Sequence, residues 1–184
     1  MADGKSKTPN ISEPIFLYGT LCSVPLLAWA LTGDSSKVYD VARLLQPAKV
    51  YGYARVAVKH GDYPAAIKHE QDSEIDGFLL TPETTSQRKK LDDFEGEAYK
   101  AESVTVTVLD SNGAHQTPIG FVEADIYLWA ESMDELTDEP WELATFEKER
   151  LKDWLDLFEG IELVGEDEET EADHLGNSVN STLE

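Results

Sequence analysis

Ile15-Phe16-Leu17-Tyr18-Gly19-Thr20-Leu21 is an apolar run cut by a glycine, and Ser23-Val24-Pro25-Leu26-Leu27-Ala28-Trp29-Ala30-Leu31 follows it almost at once. A short apolar run between Pro14 and Gly19 reads as a buried strand. The second segment opens on a cap-like Ser23, carries Pro25 in its first turn and has Gly33 beyond its end, which is the pattern of a short helix. Strand, glycine turn and helix in that order aim the backbone N–H groups of Tyr18 to Leu21 outward near a helix N-terminus, where anionic oxygens are stabilised. A bound carboxylate or a developing oxyanion suits such a turn, although the same turn also serves as a plain structural device.

Working outward, the second informative stretch is Leu91-Asp92-Asp93-Phe94-Glu95-Gly96-Glu97-Ala98-Tyr99. It closes a helix expected over residues 82 to 94, with Thr81 as hydroxyl N-cap, Pro82 at the first helical position and Glu83 in the opening turn. Asp92, Asp93, Glu95 and Glu97 then crowd the negative pole of that helix, just before a Gly96 able to take the left-handed stop conformation. Like charges and a helix carboxyl end both disfavour ionisation, so a carboxyl here that is also desolvated by Phe94 and Tyr99 has a raised pKa and can carry a proton. The plain alternative is four acids on a solvated surface.

Between and after these stretches the pattern is one of short strands. Ala48 to Lys59 alternates as a strand bent at Gly52, Gly61-Asp62-Tyr63-Pro64 turns, and Ala65 to His69 and Ile75 to Leu80 are further strands, the last with Gly77 inside. Val104, Val106 and Val108 alternate with Ser103, Thr105 and Thr107. Ser111-Asn112-Gly113 turns the chain, and Thr117 to Trp129 returns with an irregularity near Glu123. Ala130 to Pro140 is an acidic loop, and Trp141 to Phe158 carries apolar residues at helical spacing. Few helices and short turns favour an α+β fold, a small curved or closed sheet flanked by helices, over a doubly wound parallel sheet. The organisation expected is a disordered 1–13, one domain over 14–160 ending in a helix over 141–159, and an acidic disordered tail over 161–184.

The 184 residues include 37 acidic and 15 basic ones, for a net charge of −22. Eight acidic residues and no Lys or Arg fall between Gly160 and Glu184, leaving −14 for the remainder. Such a charge repels phosphate backbones and anionic lipid, so neither nucleic acid nor a membrane surface is an expected partner. A single cysteine, Cys22, and a polar N-terminus point to the reducing cytoplasm. Cys22 follows the glycine turn and invites a nucleophile reading. His60, His69, His115 and His174 show no motif linking them to it, and a packed thiol is the preferred reading. The same histidines lack metal-ligand spacing, so no metal is expected. Asn180-Ser181-Thr182 matches a glycosylation acceptor by chance.

Phe16-Leu17-Tyr18-Gly19-Thr20-Leu21, Gly61-Asp62-Tyr63-Pro64, Glu74-Ile75-Asp76-Gly77 and Leu91-Asp92-Asp93-Phe94-Glu95-Gly96 with Tyr99, in that order, resemble the AIG2-like branch of the γ-glutamylcyclotransferase family over residues 15 to 129. The resemblance implies a small mixed β-barrel of about five to seven strands flanked by helices. It implies a cavity floored by the Tyr-Gly-Thr-Leu loop, with Glu95 as general acid and base. The reaction implied is attack of a γ-glutamyl α-amine on its own γ-carbonyl, releasing 5-oxoproline and an amine or amino acid, without metal or cofactor. Tyr18, Gly19, Thr20, Leu21, Tyr63 and Tyr99 are the residues expected to bind the small-molecule γ-glutamyl substrate. Two other classes compete: a binding protein that holds such a ligand without turnover, and an interaction module whose C-terminal helix and acidic tail dock on a basic partner. Neither the leaving group nor the oligomeric state is written in the residues.

Overall fold

β1 (Ile15–Leu17) is buried on both faces, which is why its sequence is apolar without alternation. Ile15 and Leu17 face a layer of helices, while Phe16 and Tyr18 point into the lumen of a barrel. The structure, a computed structural model, describes residues 12–110 and 116–165. The Ser111-Asn112-Gly113 turn, most of the N-terminal segment, the tail beyond residue 165 and the Asn180 motif lie outside the described residues.

The barrel is closed and mixed. With β2 (Leu45–Tyr51), β5 (Glu74–Leu80), β6 (Tyr99–Leu109) and β7 (Pro118–Trp129), its order is β1-β5-β2-β6-β7. It closes through a parallel pairing of Ile15 with Asp125 and Phe16 with Ile126, and the other pairings are antiparallel. Val50, Ile75, Leu79, Val104, Val106, Val108, Ala124 and Ile126 fill the lumen with Phe16. Gly77 is required where β5 passes β1, because a Cβ there would lie 2.1 Å from the Leu17 carbonyl oxygen.

The strand expected over Ala48 to Lys59 is two strands in different sheets. Gly52, with φ of 84°, turns the chain out of β2 and into β3 (Tyr53–Ala57). Among the described residues β3 pairs only with β4 (Pro64–Lys68) and forms a separate two-stranded sheet. The irregularity expected near Glu123 lies elsewhere. Thr105 and Glu123 pair in register, and the shift falls between Val108 and Leu109, opposite Gly120 and Pro118. Alternation fades toward the end of β7 for a different reason: Ile126, Tyr127 and Leu128 are all buried, because helices cover the outer face there.

Those helices are α1 (Val24–Thr32), α2 (Val38–Ala42), α3 (Thr85–Glu95), α4 (Leu143–Glu149) and α5 (Leu151–Phe158). α3 starts three residues later than the sequence reading placed it. Thr84 is the N-cap, its hydroxyl accepting from Gln87 N at 3.1 Å, while Gln87 Oε1 accepts from Glu83 N at 2.8 Å. The spacing Thr84-x-x-Gln87 is that of a capping box, and this reciprocal pair outcompetes Thr81 and Pro82. The single helix expected over 141–159 is broken at Arg150 (φ −125°) into α4 and α5, and Trp141 precedes both. The stretch given to the tail begins with residues that return to the body: Ile161 O accepts from Trp29 Nε1 at 2.9 Å, and Gly165 O accepts from Ser86 Oγ at 2.8 Å.

Candidate functional site

Five segments meet at one end of the barrel. The turn after β1 brings Tyr18 to Leu21, the turn before β4 brings Tyr63 and Pro64, α3 ends on Glu95, β6 begins with Tyr99, and β7 contributes Tyr127. Together with Phe16 and Leu17 these residues line one pocket. All seven residues singled out in the sequence, Glu95, Tyr18, Gly19, Thr20, Leu21, Tyr63 and Tyr99, are therefore in one place. The space inside it is about 20 Å³, about enough for one water molecule.

Glu95 lies between the pocket and the helix end. Burial first, and then the charge of Asp92, push its carboxyl up from 4.5 to about 8. Both effects disfavour the anion, and no hydrogen bond offsets them. The crowding expected at this helix end is thus narrower than the sequence suggests, because of the three neighbouring acids only Asp92 acts on Glu95. Asp92 is itself held in place: it accepts from Arg88 Nε at 3.0 Å, four residues earlier on α3, and from Tyr127 Oη at 2.6 Å. Arg88 also pairs with Asp125 at 2.7 Å. Gly96 has positive φ (68°) with ψ of −164°, an extended glycine-only conformation rather than the left-handed stop expected.

In the same lining, Thr20–Cys22 forms one 3₁₀ turn whose first bond is Cys22 N to Gly19 O at 2.9 Å. The N–H groups of Gly19, Thr20 and Leu21 precede that bond and have no acceptor among the described residues. Gly19 packs against the Pro64 ring, which a Cβ would meet at 3.1 Å. Arg55, which the sequence reading passed over, donates from Nη1 to the Tyr18 carbonyl at 3.0 Å and pairs with Asp76 at 3.2 Å. It holds the Tyr18–Gly19 peptide plane and so fixes where the Gly19 N–H points. A cation on a strand in so acidic a chain was the available signal.

The tyrosines divide by role. Tyr18 Oη donates to Tyr127 O at 2.5 Å and accepts from Ala66 N at 3.2 Å, so its hydroxyl is a strut between β7 and β4. Tyr99 Oη donates to Pro64 O at 2.8 Å. Burial, with Glu95 nearby, raises the pKa of both, keeping them neutral donors. Tyr63 stands at the rim, 36% exposed. Tyr127, also missed in the sequence, is held by Asp92. Cys22 is buried, and burial pushes its thiol up to about 12, so it is no nucleophile. Among the described residues no group of three acidic, His or Cys side chains is arranged for a metal ion. Among them, too, no helix is long and apolar enough to cross a membrane.

The family model described as gamma-glutamyl cyclotransferase, AIG2-like, matches residues 15–156. Protein AIG2 B of Arabidopsis thaliana is 26% identical over 129 residues, 70% of this chain and 67% of that protein. A solution structure of another Arabidopsis thaliana protein shares the fold, with a TM-score of 0.50 at 19% identity over 83% of this chain and 85% of that one. The crystal structure of an AIG2-like protein from Mus musculus aligns with a TM-score of 0.42 at 17% identity, covering 71% of this chain and 86% of the other.

Proposed function

We propose that this chain, which belongs to the AIG2-like gamma-glutamyl cyclotransferase family, cyclises γ-glutamyl amides in the cytoplasm with Glu95 as general base and acid. The observation that carries the reading is the pairing of a carboxyl raised to about 8 with the open N–H groups of Gly19 to Leu21 across one pocket.

The chemistry follows from that pairing. The substrate α-amine attacks the γ-carbonyl carbon, forming the lactam C–N bond. The oxygen that gains charge is met by backbone N–H groups. Glu95 takes protons from the attacking nitrogen and returns them to the leaving nitrogen as the amide bond breaks. Of the three protons on the substrate α-ammonium, one stays on the lactam nitrogen and two end on the released amine. Water is neither consumed nor produced. Attack within one molecule supplies up to ~7–11 kcal/mol once the chain is folded into position, so a pocket that orients the substrate and moves protons suffices. The inner space of about 20 Å³ is smaller than a γ-glutamyl group, so binding one requires the pocket to widen.

Incubating the protein with γ-glutamyl amino acids, γ-glutamyl amines and glutathione should release 5-oxoproline and amine in equal amounts from at least one. Saturable binding without release, in wild type and Glu95→Gln alike, would identify a binding protein instead.

A further inference from the structure

The pocket opens outward into a second, larger hollow of about 410 Å³, and Thr20, Tyr63, Glu95 and Tyr99 line both. Its outer wall is formed by Trp29, Phe94, Trp154, Phe158, Ile161 and Leu163. The wall is built as a cage of rings: Trp29 stacks on Phe158 at 4.5 Å, and Trp154 meets Tyr63, Phe94 and Phe158 at 6.4, 6.5 and 5.9 Å. The polar handles of both indoles are already used, Trp29 Nε1 by Ile161 O and Trp154 Nε1 by Asp62 Oδ2 at 3.0 Å. What faces the hollow is therefore apolar ring surface, with no donor left over from either tryptophan. No Lys, Arg or His lines it, whereas Asp93 does. A leaving group bearing a carboxylate would meet acidic side chains and no counter-ion. Phe158, Ile161 and Leu163 also lie past residue 156, the last one the family model matches, so part of this wall comes from the segment beyond the match.

We infer that this hollow receives the leaving group, and that the preferred substrates are γ-glutamyl amides of arylalkyl primary amines, which carry the ring on an alkyl chain, rather than γ-glutamyl amino acids or peptides. The inference rests on the cyclotransferase reading, since Glu95 sits where the two spaces join and hands its proton to a nitrogen at that junction. The reacting γ-glutamyl end stays in the inner pocket, and the ring on the amine displaces water from the aromatic wall. Covering such a ring with apolar surface favours binding. The bond changes are those of the cyclisation above, with the arylalkylamine leaving protonated past Asp93.

The test compares γ-glutamyl-phenethylamine with γ-glutamyl-methylamine, which lacks the ring, and with γ-glutamyl-phenylalanine, which keeps the ring and adds a carboxylate. The phenethylamide should exceed both in kcat/KM for 5-oxoproline release by about tenfold or more. Phe158→Ala and, as a milder change at the part-buried wall, Leu163→Ser should erase its advantage over the methylamide, with the methylamide's own rate held within about twofold. Turnover of all three at similar rates, or an advantage that survives both substitutions, overturns the inference and leaves the cyclotransferase reading standing. If none is turned over, calorimetry on wild type separates the two claims. Tighter binding of the phenethylamide than of the other two supports the subsite while removing the cyclisation, and equal or no binding removes the subsite as well.

Discussion

At Glu95 two effects act in one direction. Burial disfavours the carboxylate, and the Asp92 charge adds to it, so the folded protein holds the carboxyl near 8 where an unfolded chain would hold it near 4.5. The free-enzyme kcat/KM should therefore rise with pH through an apparent pKa near 8. Asp92→Asn should move that limb toward lower pH, while a limb unmoved by Asp92→Asn would assign it to another group, the substrate amine included. The same shift has a cost in stability. Because the folded state keeps the proton longer, stability falls as pH rises from about 4.5 to about 8. Glu95→Gln removes that loss, so at pH 9 it should melt above wild type, by about 2–4 °C for each ~1 kcal/mol recovered, with the gap closing at pH 4. An equal gap at both pH values would locate the effect in packing. The acid cluster was legible at this scale, but its partner was not put to use: Arg88 and Asp92 are four apart, a spacing that pairs side chains on one helix face. Burial, which turns out to be the larger cause, depends on β1, β4 and β6 arriving from distant parts of the chain.

Among the elements, α5 is the one whose placement bears most on the site. Asp62, next to the rim residue Tyr63, accepts from Trp154 Nε1 at 3.0 Å and pairs with Arg150 Nε at 3.0 Å, while its backbone carbonyl accepts from Trp141 Nε1 at 2.8 Å. One turn residue thus ties the start and middle of the C-terminal helices to the pocket rim. Asp62→Ala should accelerate amide exchange across residues 151–158 by about tenfold or more, the equivalent of ~1.4 kcal/mol, with little change in β6 and β7. Uniform acceleration throughout the protein would mean Asp62 supports the whole fold rather than this joint. The break at Arg150 escaped the sequence because helical spacing continues through it: Arg150 N still donates to Phe146 O, and Trp154 N to Arg150 O. Only the backbone angle at Arg150 marks the joint. The strands of the barrel were legible where burial has period two, as in β2 and the inner face of β6. The parting of β2 from β3 was not, since a glycine in a strand signals a bend without saying which sheet the chain then joins.

Over the whole molecule, two apolar cores, one in the barrel lumen and one between barrel and helices, work against the self-repulsion of a net charge of −22. Raising ionic strength from about 10 mM to about 150 mM screens that repulsion. The melting temperature should therefore rise over this range, and a fall would show that the surface ion pairs outweigh the excess of like charge. The same field disfavours anionic partners and suits a site that releases a protonated amine. The barrel with its helices and the grouping of residues at one pocket were within reach of motif order. The aromatic hollow was not, since its wall joins Trp29 and Phe94 to residues 154–163 across the fold. The central claim is that the Glu95 carboxyl carries the proton in ring closure, and its most direct test is 5-oxoproline release by wild type and Glu95→Gln on a γ-glutamyl amide that wild type turns over. The account predicts a fall in kcat of about 10²–10⁴ with substrate still bound, and a variant that keeps the wild-type rate would contradict it.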